Sequence, residues 1–306
     1  MRTPLPANVV GILYILMAVF AGLFTSAIIK HYAPLATVSV LLTLRFLFSM
    51  PPLLAVAWKT RGWQAYQINR RGRLLARVLV GQCGILFWFL SIQHLPLGQA
   101  TALFQSSAIF VTLLSPLILK EKVGMFRWSA VIVGLGGVVL ITDPFSGGLQ
   151  FGIFFGLASA LSGAALAILL RLLGKTEQPI SVALWHNTTG AVIYPLLMIF
   201  FMDDTGLLAM VLAVPVDWLA FIIVGIGAAM MQIGFTTAYR YGEAAVMVSI
   251  RYLSVPLAGL IGWLIWQEIP SSSEVAGMVV VVLSCLFISL REYRLARKAN
   301  RAAASD

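Results

Sequence analysis

Long apolar stretches, separated by short polar connections, follow one another along almost the whole chain. A helix needs about 20 apolar residues to cross the hydrocarbon core of a bilayer. The stretches that approach this length are residues 9–29, 35–57, 75–93, 98–119, 125–142, 149–170, 180–202, 216–238, 244–266 and 273–290. Segments of alternating apolar and polar residues, typical of membrane β-barrels, are absent, and helices satisfy their own backbone hydrogen bonds in lipid. The pattern therefore predicts an all-α integral membrane protein with ten transmembrane helices.

The composition supports this interpretation. Of the 306 residues, 60% are hydrophobic and only 10% are charged, an apolar excess that a soluble domain of this size does not have. The N-terminal sequence leads straight into the first stretch without a small-residue cleavage site, so we expect a retained helix and no cleaved signal peptide. Cys83 and Cys285 both fall inside apolar stretches, where we expect small core residues and no disulfide.

The net charge of +10 is distributed unevenly between the two sides of the predicted bundle. With the N-terminus in the cytoplasm, 18 of the 21 Lys and Arg residues fall on the cytoplasmic side, Arg77 among them. Lys30 falls outside, and Arg45 and Arg251 lie within helices. This positive-inside bias predicts a multi-pass protein of the bacterial inner membrane with both termini in the cytoplasm. We expect the basic clusters to face anionic membrane lipid, and we expect no nucleic-acid partner.

The two halves of the sequence repeat with opposite charge. The pairs that coincide are Ser107 with Ser254 and Glu121 with Glu268 at a shift of 147, and Gly22 with Gly163 and Lys30 with Arg171 at a shift of 141. The connection at 59–73 is basic, whereas its counterpart at 203–217 is acidic. Matching connections on opposite faces predict an inverted five-plus-five repeat, with one repeat at 1–143, the second at 144–290 and a basic cytoplasmic tail at 291–306.

Two segments carry a resemblance to a known family. Residues 89–141 have an alanine-and-small start to the fourth helix, a turn that contains Gly and Glu, and a Gly-rich fifth helix that begins with Trp. The residues concerned are Leu97-Gly98-Gln99-Ala100, Glu121-Lys122-Val123-Gly124, Trp128, Gly134 and Gly136-Gly137. Residues 238–271 repeat the pattern with Glu268 as the turn acid, and Arg45-Phe46 resembles a common family pair. Over nearly its whole length the chain resembles the EamA family of the drug/metabolite transporter superfamily.

The resemblance implies ten helices and the transport of small organic solutes, with helices three, four, eight and nine lining the cavity. Solutes within the wider family include amino-acid derivatives, S-adenosylmethionine-like metabolites and riboflavin, and the resemblance does not select among them. The chain departs from the family pattern at Ile109, where many members have a proline like Pro256 in the other half.

Arg251 is the most unusual residue of the ninth predicted helix, because it lies about 10 Å along the helix axis from its start. An arginine at this depth is unfavourable unless it faces a water-filled cavity or a partner. One hypothesis is that Arg251, Tyr252 and Gln105 line the solute cavity, with the guanidinium group receiving a carboxylate or phosphate. The alternative is that Arg251 extends toward the cytoplasm and bonds backbone carbonyls or Glu243.

Five further residues are candidates for solute binding. Gln82 and Trp88 lie on the third helix, Gln232 and Tyr239 on the eighth, and Tyr14 on the first. Helices three and eight are those that the resemblance places around the cavity. For the aromatic residues the alternative is ordinary helix packing or a place in the interfacial aromatic belt, which is the commoner role of Trp and Tyr in membrane helices.

Three other ionisable residues have a structural alternative that we favour. Because Arg45 belongs to a pair shared across the family, we expect a fold role, such as hydrogen bonds to carbonyls of a neighbouring helix. His186 is a candidate for proton coupling, but a neutral, hydrogen-bonded packing residue is the preferred interpretation. Glu243 is the second proton-coupling candidate, although a cytoplasmic cap on the ninth helix fits its place in the sequence better.

The function that fits these features is secondary transport of a small polar or amphipathic metabolite, anionic or zwitterionic, by alternating access. No P-loop is present, so energy would come from a gradient, with a proton or sodium as the coupling ion if there is one. A membrane-embedded enzyme is the alternative, but no nucleophile or metal motif is found, and we expect no cofactor or metal. A non-transporting sensor or scaffold and a homodimer are left open.

Overall fold

The computed structural model describes residues 7–118, 125–142, 151–173, 177–201, 215–241, 247 and 250–303. Its α-helices are α1 (Ala7–Tyr32), α2 (Val38–Arg61), α3 (Arg71–His94), α4 (Leu97–Gln105), α5 (Ser107–Ile118), α6 (Met125–Thr142), α7 (Phe151–Leu173), α8 (Pro179–Phe201), α9 (Pro215–Tyr241), α10 (Ser254–Trp266) and α11 (Ser272–Ala303). A short 3-10 helix, Gly62–Tyr66, follows α2. None of the described residues lies in a β-strand, so the prediction of an all-α chain is confirmed.

Among the described residues, seven helices are long and apolar enough to cross a membrane. They are Val9–Tyr32, Val38–Tyr66, Arg71–His94, Leu97–Leu114, Phe151–Leu169, Ile180–Phe200 and Trp218–Phe235. Shorter apolar helices cover Trp128–Thr142, Ser254–Trp266 and Ser272–Ile288. Every predicted stretch therefore contains an apolar helix, and the chain is a multi-pass membrane protein. The grouping into two inverted sets of five stays a prediction.

Two of the predicted helices are interrupted at matching places. The stretch 98–119 forms two helices, because α4 ends at Gln105 and α5 begins after a turn at Ser106. In the stretch 244–266 a turn at residues 252–253 precedes α10. Both turns tighten the backbone to i→i+3 hydrogen bonds. The Ser106 N–H is shared between Leu103 O and Ala102 O, each at 3.1 Å, and the Leu253 N–H donates to Ile250 O at 3.1 Å.

The two tightened hydrogen bonds occupy equivalent places in the repeat, because a shift of 147 residues converts the first into the second. The serine side chain at the first turn reinforces the interruption. The Ser106 Oγ donates to Leu103 O at 2.6 Å, and such a bond competes with the regular helical pattern. Both turns lie beside polar residues within longer apolar stretches, and hydropathy over a whole stretch does not distinguish a turn from a continuous helix.

Each of the most extensive helix contacts joins a helix within 7–142 to one within 151–303. The pairs are α1 with α9, α3 with α7, α2 with α8, α2 with α9, α4 with α10 and α6 with α11. Two of these pairs cross with their backbones in contact. A Cβ on Gly98 would lie 2.9 Å from Gly259 Cα, and one on Gly277 would lie 2.6 Å from Gly137 O. No larger residue fits at Gly98 or Gly277 without separating the helices.

The buried core lies where these helix pairs meet, and the largest side chains that it encloses completely include Phe46, Phe89 and Phe221. Large apolar side chains also cover the outer surface of the bundle, as expected where lipid is the solvent. Cys285 is buried, as expected from the sequence. Cys83 is exposed, so its expected place in the core is wrong. Its neighbour Gln82 faces the interior, and the next helical residue is therefore rotated outward.

Candidate solute-binding site

The two helix interruptions meet through Gln105 and Arg251. The Arg251 Nη2 donates to Gln105 Oε1 at 3.2 Å, and the Gln105 Nε2 donates to Arg251 O at 3.0 Å. The same amide nitrogen lies 3.3 Å from Ser254 Oγ, at the start of α10. Gln105 is buried and Arg251 is half-buried. The amide thus holds one interruption against the other through both the side chain and the backbone of the arginine.

Aromatic and sulfur groups surround this pair. The Arg251 Cζ lies 5.1 Å from the centre of the Phe235 ring on α9, a cation–π distance. The Cys285 Sγ lies 3.7 Å from Gln105 O, so α11 also contacts the interruption. Tyr252 lies at the turn itself and is buried in the core. The structure therefore brings together the three residues that the sequence grouped.

A second polar cluster lies between α2, α3 and α8. The Gln82 Nε2 donates to His186 O at 2.7 Å and lies 3.2 Å from His186 Nδ1. The Tyr194 hydroxyl donates to Gln82 O at 2.9 Å. Two residues that the sequence proposed for separate roles, Gln82 for the solute and His186 for the proton, are therefore direct neighbours. A histidine whose Nδ1 accepts a hydrogen bond carries its proton on Nε2 when the ring is neutral.

The same cluster extends to α2. The Ser49 Oγ donates to Asn187 Oδ1 at 2.7 Å, and the Asn187 Nδ2 donates to Ala183 O at 3.2 Å. Phe46 stacks on Tyr194 with 5.4 Å between ring centres, and Arg45 Cζ lies 4.7 Å from the Phe46 ring. Arg45 is only 3% exposed. The fold role expected for Arg45 stays a prediction, because its Nη1 finds no hydrogen-bond partner in the described part of the chain.

Arg77 corrects the sequence analysis, which grouped it with the exposed cytoplasmic charges. It is only 7% exposed and faces α8 from the second turn of α3. A Cβ on Gly81 would lie 3.5 Å from Arg77 Nη1 and 3.1 Å from His186 Cε1, so the two side chains flank the same glycine. Its place near the end of an apolar stretch suggested a topology signal, and only the packing of α3 on α8 reveals its burial.

The remaining candidates are scattered. Trp88 contacts Phe104 on α4 with 5.2 Å between ring centres, and Tyr14 packs in a small apolar cluster that includes Phe235. Gln232 is half-buried on α9. Tyr239 also belongs to α9, but its side chain and the whole of Glu243 lie outside the described residues. The candidates therefore divide between the Gln105–Arg251 pair and the α2–α3–α8 cluster.

An ion pair that the sequence analysis missed joins α1 to the end of α10. The Lys30 Nζ lies 2.6 Å from Glu268 Oε1 and donates to Leu95 O at 2.6 Å. The Glu268 Oε2 accepts the Leu97 N–H at 3.0 Å, at the start of α4. A left-handed Gln267, with φ of 57°, turns the chain so that the carboxylate reaches these partners. The sequence signal was present, since both charges fall outside and each has a repeat partner.

At the other end of the bundle a second carboxylate caps a helix. Glu177 is buried, and its Oε1 accepts the N–H groups of Asn69 at 3.1 Å and Arg70 at 2.8 Å, where α3 begins. Carboxylates are favourable at helix N-termini, because the backbone dipoles leave partial positive charge there. Within the described residues, no three His, Cys, Asp or Glu side chains come together as a metal site.

Comparison with known proteins agrees with this architecture. The model of the EamA-like transporter family matches the chain twice, over residues 9–143 and 150–290. A riboflavin transporter of Rhizobium johnstonii is 31% identical over 256 residues, which cover 83% of this chain and 80% of that protein. The pseudopaline exporter CntI of Pseudomonas aeruginosa is 26% identical over 238 residues, which cover 72% and 77% of the two chains.

A solved crystal structure shares the fold, with a TM-score of 0.64 at 19% identity. The superposition covers 94% of this chain and 98% of the other, so it includes helices from both halves of the sequence. The two family matches together span nearly all of the chain, and they include both helix interruptions and the α2–α3–α8 cluster. The chain therefore belongs to the EamA-like transporter family.

Proposed function

We propose that the chain is a secondary transporter of a small metabolite that carries an anionic or zwitterionic group. In this proposal two inverted five-helix halves, 1–143 and 144–290, expose a shared site alternately to the two sides of the bacterial inner membrane. Both termini are cytoplasmic, because 18 of the 21 Lys and Arg residues then lie on the cytoplasmic side.

The observation that carries the proposal is the matched pair of helix interruptions. Discontinuous helices at corresponding places in two repeats are a pointer to the substrate site of a transporter, because they release backbone groups and helix ends inside the membrane. Here the interruptions share one hydrogen-bond pattern, and Gln105 and Arg251 hold them together. A solute carboxylate that binds Arg251 would compete with the Gln105 amide oxygen and so loosen one half from the other.

The packing of the helices supports the inverted arrangement. Exchange of the first five predicted helices with the second five converts the α1–α9 contact into the α3–α7 contact. The same exchange leaves the pairs α2–α8, α4–α10 and α6–α11 unchanged. A twofold exchange of this kind is what two structurally equivalent halves about an in-plane axis require. The two family matches, one in each half, also fit this arrangement.

The Lys30–Glu268 pair provides the closure that alternating access needs on the outer side. It ties the end of α1 to the end of α10 and to the start of α4, and Lys30 Nζ also lies 5.5 Å from the Trp266 ring. Separation of α1 from α10 on this side would break the ion pair and release the Leu97 N–H. We assign the described conformation to a state that is closed toward the outside.

The chemistry of the candidate site narrows the solute class. A guanidinium group next to Phe235, with Trp88 and Phe104 in contact nearby on α3 and α4, suits a solute with a flat or apolar part and an anionic group. Riboflavin-like and amino-acid-derived metabolites are the first classes to test, because relatives carry the names riboflavin transporter and pseudopaline exporter. The direction of transport, import or export, is tested by the experiment that tests the function.

Counterflow in proteoliposomes tests the proposal. A thermal-shift screen against a metabolite library selects ligands, since a ligand that binds the folded form raises its melting temperature. Saturable uptake of a selected radiolabelled ligand, driven by the same unlabelled ligand inside, is the expected result. Loading from each side in turn gives the preferred direction. A failure of every selected ligand to show counterflow would contradict the proposed function.

Arg251→Ala should reduce counterflow by roughly 100-fold, because the loss of a charge-assisted hydrogen bond to the solute weakens binding by about 3 kcal/mol. Arg251→Lys keeps the charge without the planar fork and should recover only part of the flux. Arg294→Ala, at an exposed arginine on α11, is the matched control and should transport normally. Equal flux in Arg251→Ala and Arg294→Ala would remove Arg251 from the site.

A further inference from the structure

Two arginines are buried at one helix interface without a charged partner. Arg45 on α2 is 3% exposed and Arg77 on α3 is 7% exposed. The Arg45 Nη1 and the Arg77 Nε and Nη1 are all buried and find no hydrogen-bond partner in the described part of the chain. The Gln82 Oε1 is buried and unpaired in the same way. No described carboxylate forms an ion pair with either arginine.

Each of these groups lies close to His186 or to a side chain that contacts it. The tip of Arg77 and the ring of His186 both lie against Gly81, and Gln82 Nε2 contacts His186 directly. The Phe46 ring connects Arg45 to the same place, since its centre lies 4.7 Å from Arg45 Cζ and 5.6 Å from the centre of the His186 ring. Phe46 also stacks on Tyr194, whose hydroxyl donates to the backbone of Gln82. The interface thus holds two positive charges and several open donor atoms with no negative charge to balance them.

A buried guanidinium group without a partner is strongly unfavourable, because the low dielectric of the interior does not replace its hydration. The other described buried charges in this chain avoid this situation. Lys30 pairs with Glu268, and Glu177 accepts backbone N–H groups at the start of α3. Unpaired donors that converge on one place are instead the features of a site that awaits an oxyanion, which two guanidinium forks can bind with several short hydrogen bonds.

We propose that Arg45 and Arg77 form an oxyanion-binding site between α2, α3 and α8, which takes a second carboxylate or phosphate group of the transported solute, separate from the one that Arg251 receives. The assignment to a solute rests on the proposed transport function, whereas the site itself does not. Both arginines are shielded by α2, α3 and α8 from the lipid-facing surface, so a soluble anion fits better than a lipid headgroup. The open Gln82 Oε1 is an acceptor, so beside the two charges it suits a protonated oxygen of the bound group.

Thermal unfolding in nanodiscs of phosphatidylcholine alone tests the site with inorganic phosphate and acetate as probes. Sodium chloride at equal ionic strength is the reference. Phosphate at ten times its dissociation constant should raise the melting temperature of the wild-type protein by about 4 °C. Arg45→Gln and Arg77→Gln should each remove this shift. Arg71→Gln, an exposed arginine six residues before Arg77 on the same helix, should keep it.

Two further variants keep the test decisive if the Arg45→Gln protein does not fold. Arg77→Lys keeps the charge and should keep less than half of the shift, because the planar fork is lost. Gly81→Ala leaves both arginines in place but puts a methyl group 3.5 Å from Arg77 Nη1 and 3.1 Å from His186 Cε1. It should remove the phosphate shift without any change in net charge, which separates a shaped site from nonspecific attraction to the basic surface.

Several results would overturn the site. One is a phosphate shift of equal size in the wild type, Arg45→Gln, Arg77→Gln and Gly81→Ala, since the anion would then bind the exposed basic residues. Another is no shift beyond that of chloride. A third is arginine-dependent stabilisation by added phosphatidylglycerol without any response to phosphate or acetate, which would assign the site to a lipid headgroup.

The outcome for the site and the outcome for transport can be told apart, because the nanodisc measurement involves no flux. Counterflow by a wild-type protein whose phosphate shift does not depend on Arg45 or Arg77 would overturn the site and leave transport intact. An arginine-dependent shift in a protein that shows no counterflow would contradict transport and retain the oxyanion site.

Discussion

The Lys30–Glu268 end of the bundle and the α2–α3–α8 cluster both remove charges from water, but they do so in different ways. At the first, the two opposite charges are 2.6 Å apart, and the remaining atoms of both groups bond the backbone at Leu95 and Leu97. At the second, Arg45 and Arg77 are more deeply buried and face neutral groups. In the first arrangement the charges hold helices together. In the second, guanidinium nitrogens of Arg45 and Arg77 have no hydrogen-bond acceptor among the described residues.

The difference shows how to separate structural from functional charge within a membrane bundle. A structural charge is recognised by complete pairing, because an unpaired one weakens the fold. A functional charge is tolerated without its partner when the partner is a ligand that comes and goes. The Gln105–Arg251 pair is intermediate, since Arg251 is half-buried and donates to the neutral amide of Gln105. Substitutions in these three regions should therefore change the free energy of unfolding by different amounts.

The largest effect is expected for Glu268→Ala. It leaves Lys30 without its counter-charge and the Leu97 N–H without an acceptor. The two side chains are 11% and 19% exposed, so the loss should be about 2 kcal/mol, below that for a fully buried pair. The melting temperature of the purified protein should fall by roughly 6 °C.

The double variant Lys30→Met with Glu268→Gln is the matched control for Glu268→Ala. It removes both charges together and should recover about half of the lost stability, because no charge is left unpaired. A melting temperature of Glu268→Ala within about 1 °C of the wild type would show that the pair does not hold the end of α10 to α1.

A smaller effect of opposite sign is expected for Arg77→Met. Without ligand, this change removes an unpaired buried charge and replaces it with an apolar side chain of similar length. Unfolding should become about 1.5 kcal/mol less favourable, and the melting temperature should rise by roughly 4 °C. Arg71→Met, at the exposed start of α3, should leave the melting temperature unchanged. A fall in stability for Arg77→Met would instead assign Arg77 a structural role.

The smallest effect concerns the contact between the two helix interruptions. A double-mutant cycle of Gln105→Ala and Arg251→Ala should give a coupling free energy of about 1 kcal/mol, since the side-chain bond involves one charged and one neutral group. Denaturation of the four proteins in detergent provides the measurement. Additive effects of the two single changes would mean that the side-chain bond contributes nothing to holding the interruptions together.

The apolar helices and the grouping of residues in one of the two polar clusters could be predicted from the sequence. Hydropathy predicted every apolar helix, because the length of a membrane helix is set by the bilayer. The repeat also led to the correct neighbourhood of Gln105, Arg251 and Tyr252, since residues at equivalent depth in equivalent helices are expected to meet. The family membership followed from motifs that are local in sequence, such as those around Trp128 and Glu268.

The remaining features depend on contacts between residues that are far apart in the chain. The interruption at Ser106 lies at the polar run Gln105-Ser106-Ser107 inside a longer apolar stretch, and such a run is also compatible with a continuous helix. The pairing of Lys30 with Glu268 joins positions that only the packing of α1 near α10 brings together. The burial of Arg77 was not predicted from the sequence. A residue about one and a half turns from the start of a helix faces either water or a neighbouring helix, and for Arg77 this depends on how α3 packs on α8.

The glycine crossings described above have a mechanical consequence. Where Gly98 meets Gly259 and Gly137 meets Gly277, backbone lies on backbone, with the side chains of Val280 and Ile141 beside the second contact, and the helix axes approach closely. Each crossing can therefore act as a pivot about which the two helices rotate relative to each other without sliding. From Gly277 to Ala303 helix α11 measures about 39 Å, so a swing of about 5° moves its far end by roughly 3 Å, the width of a water molecule.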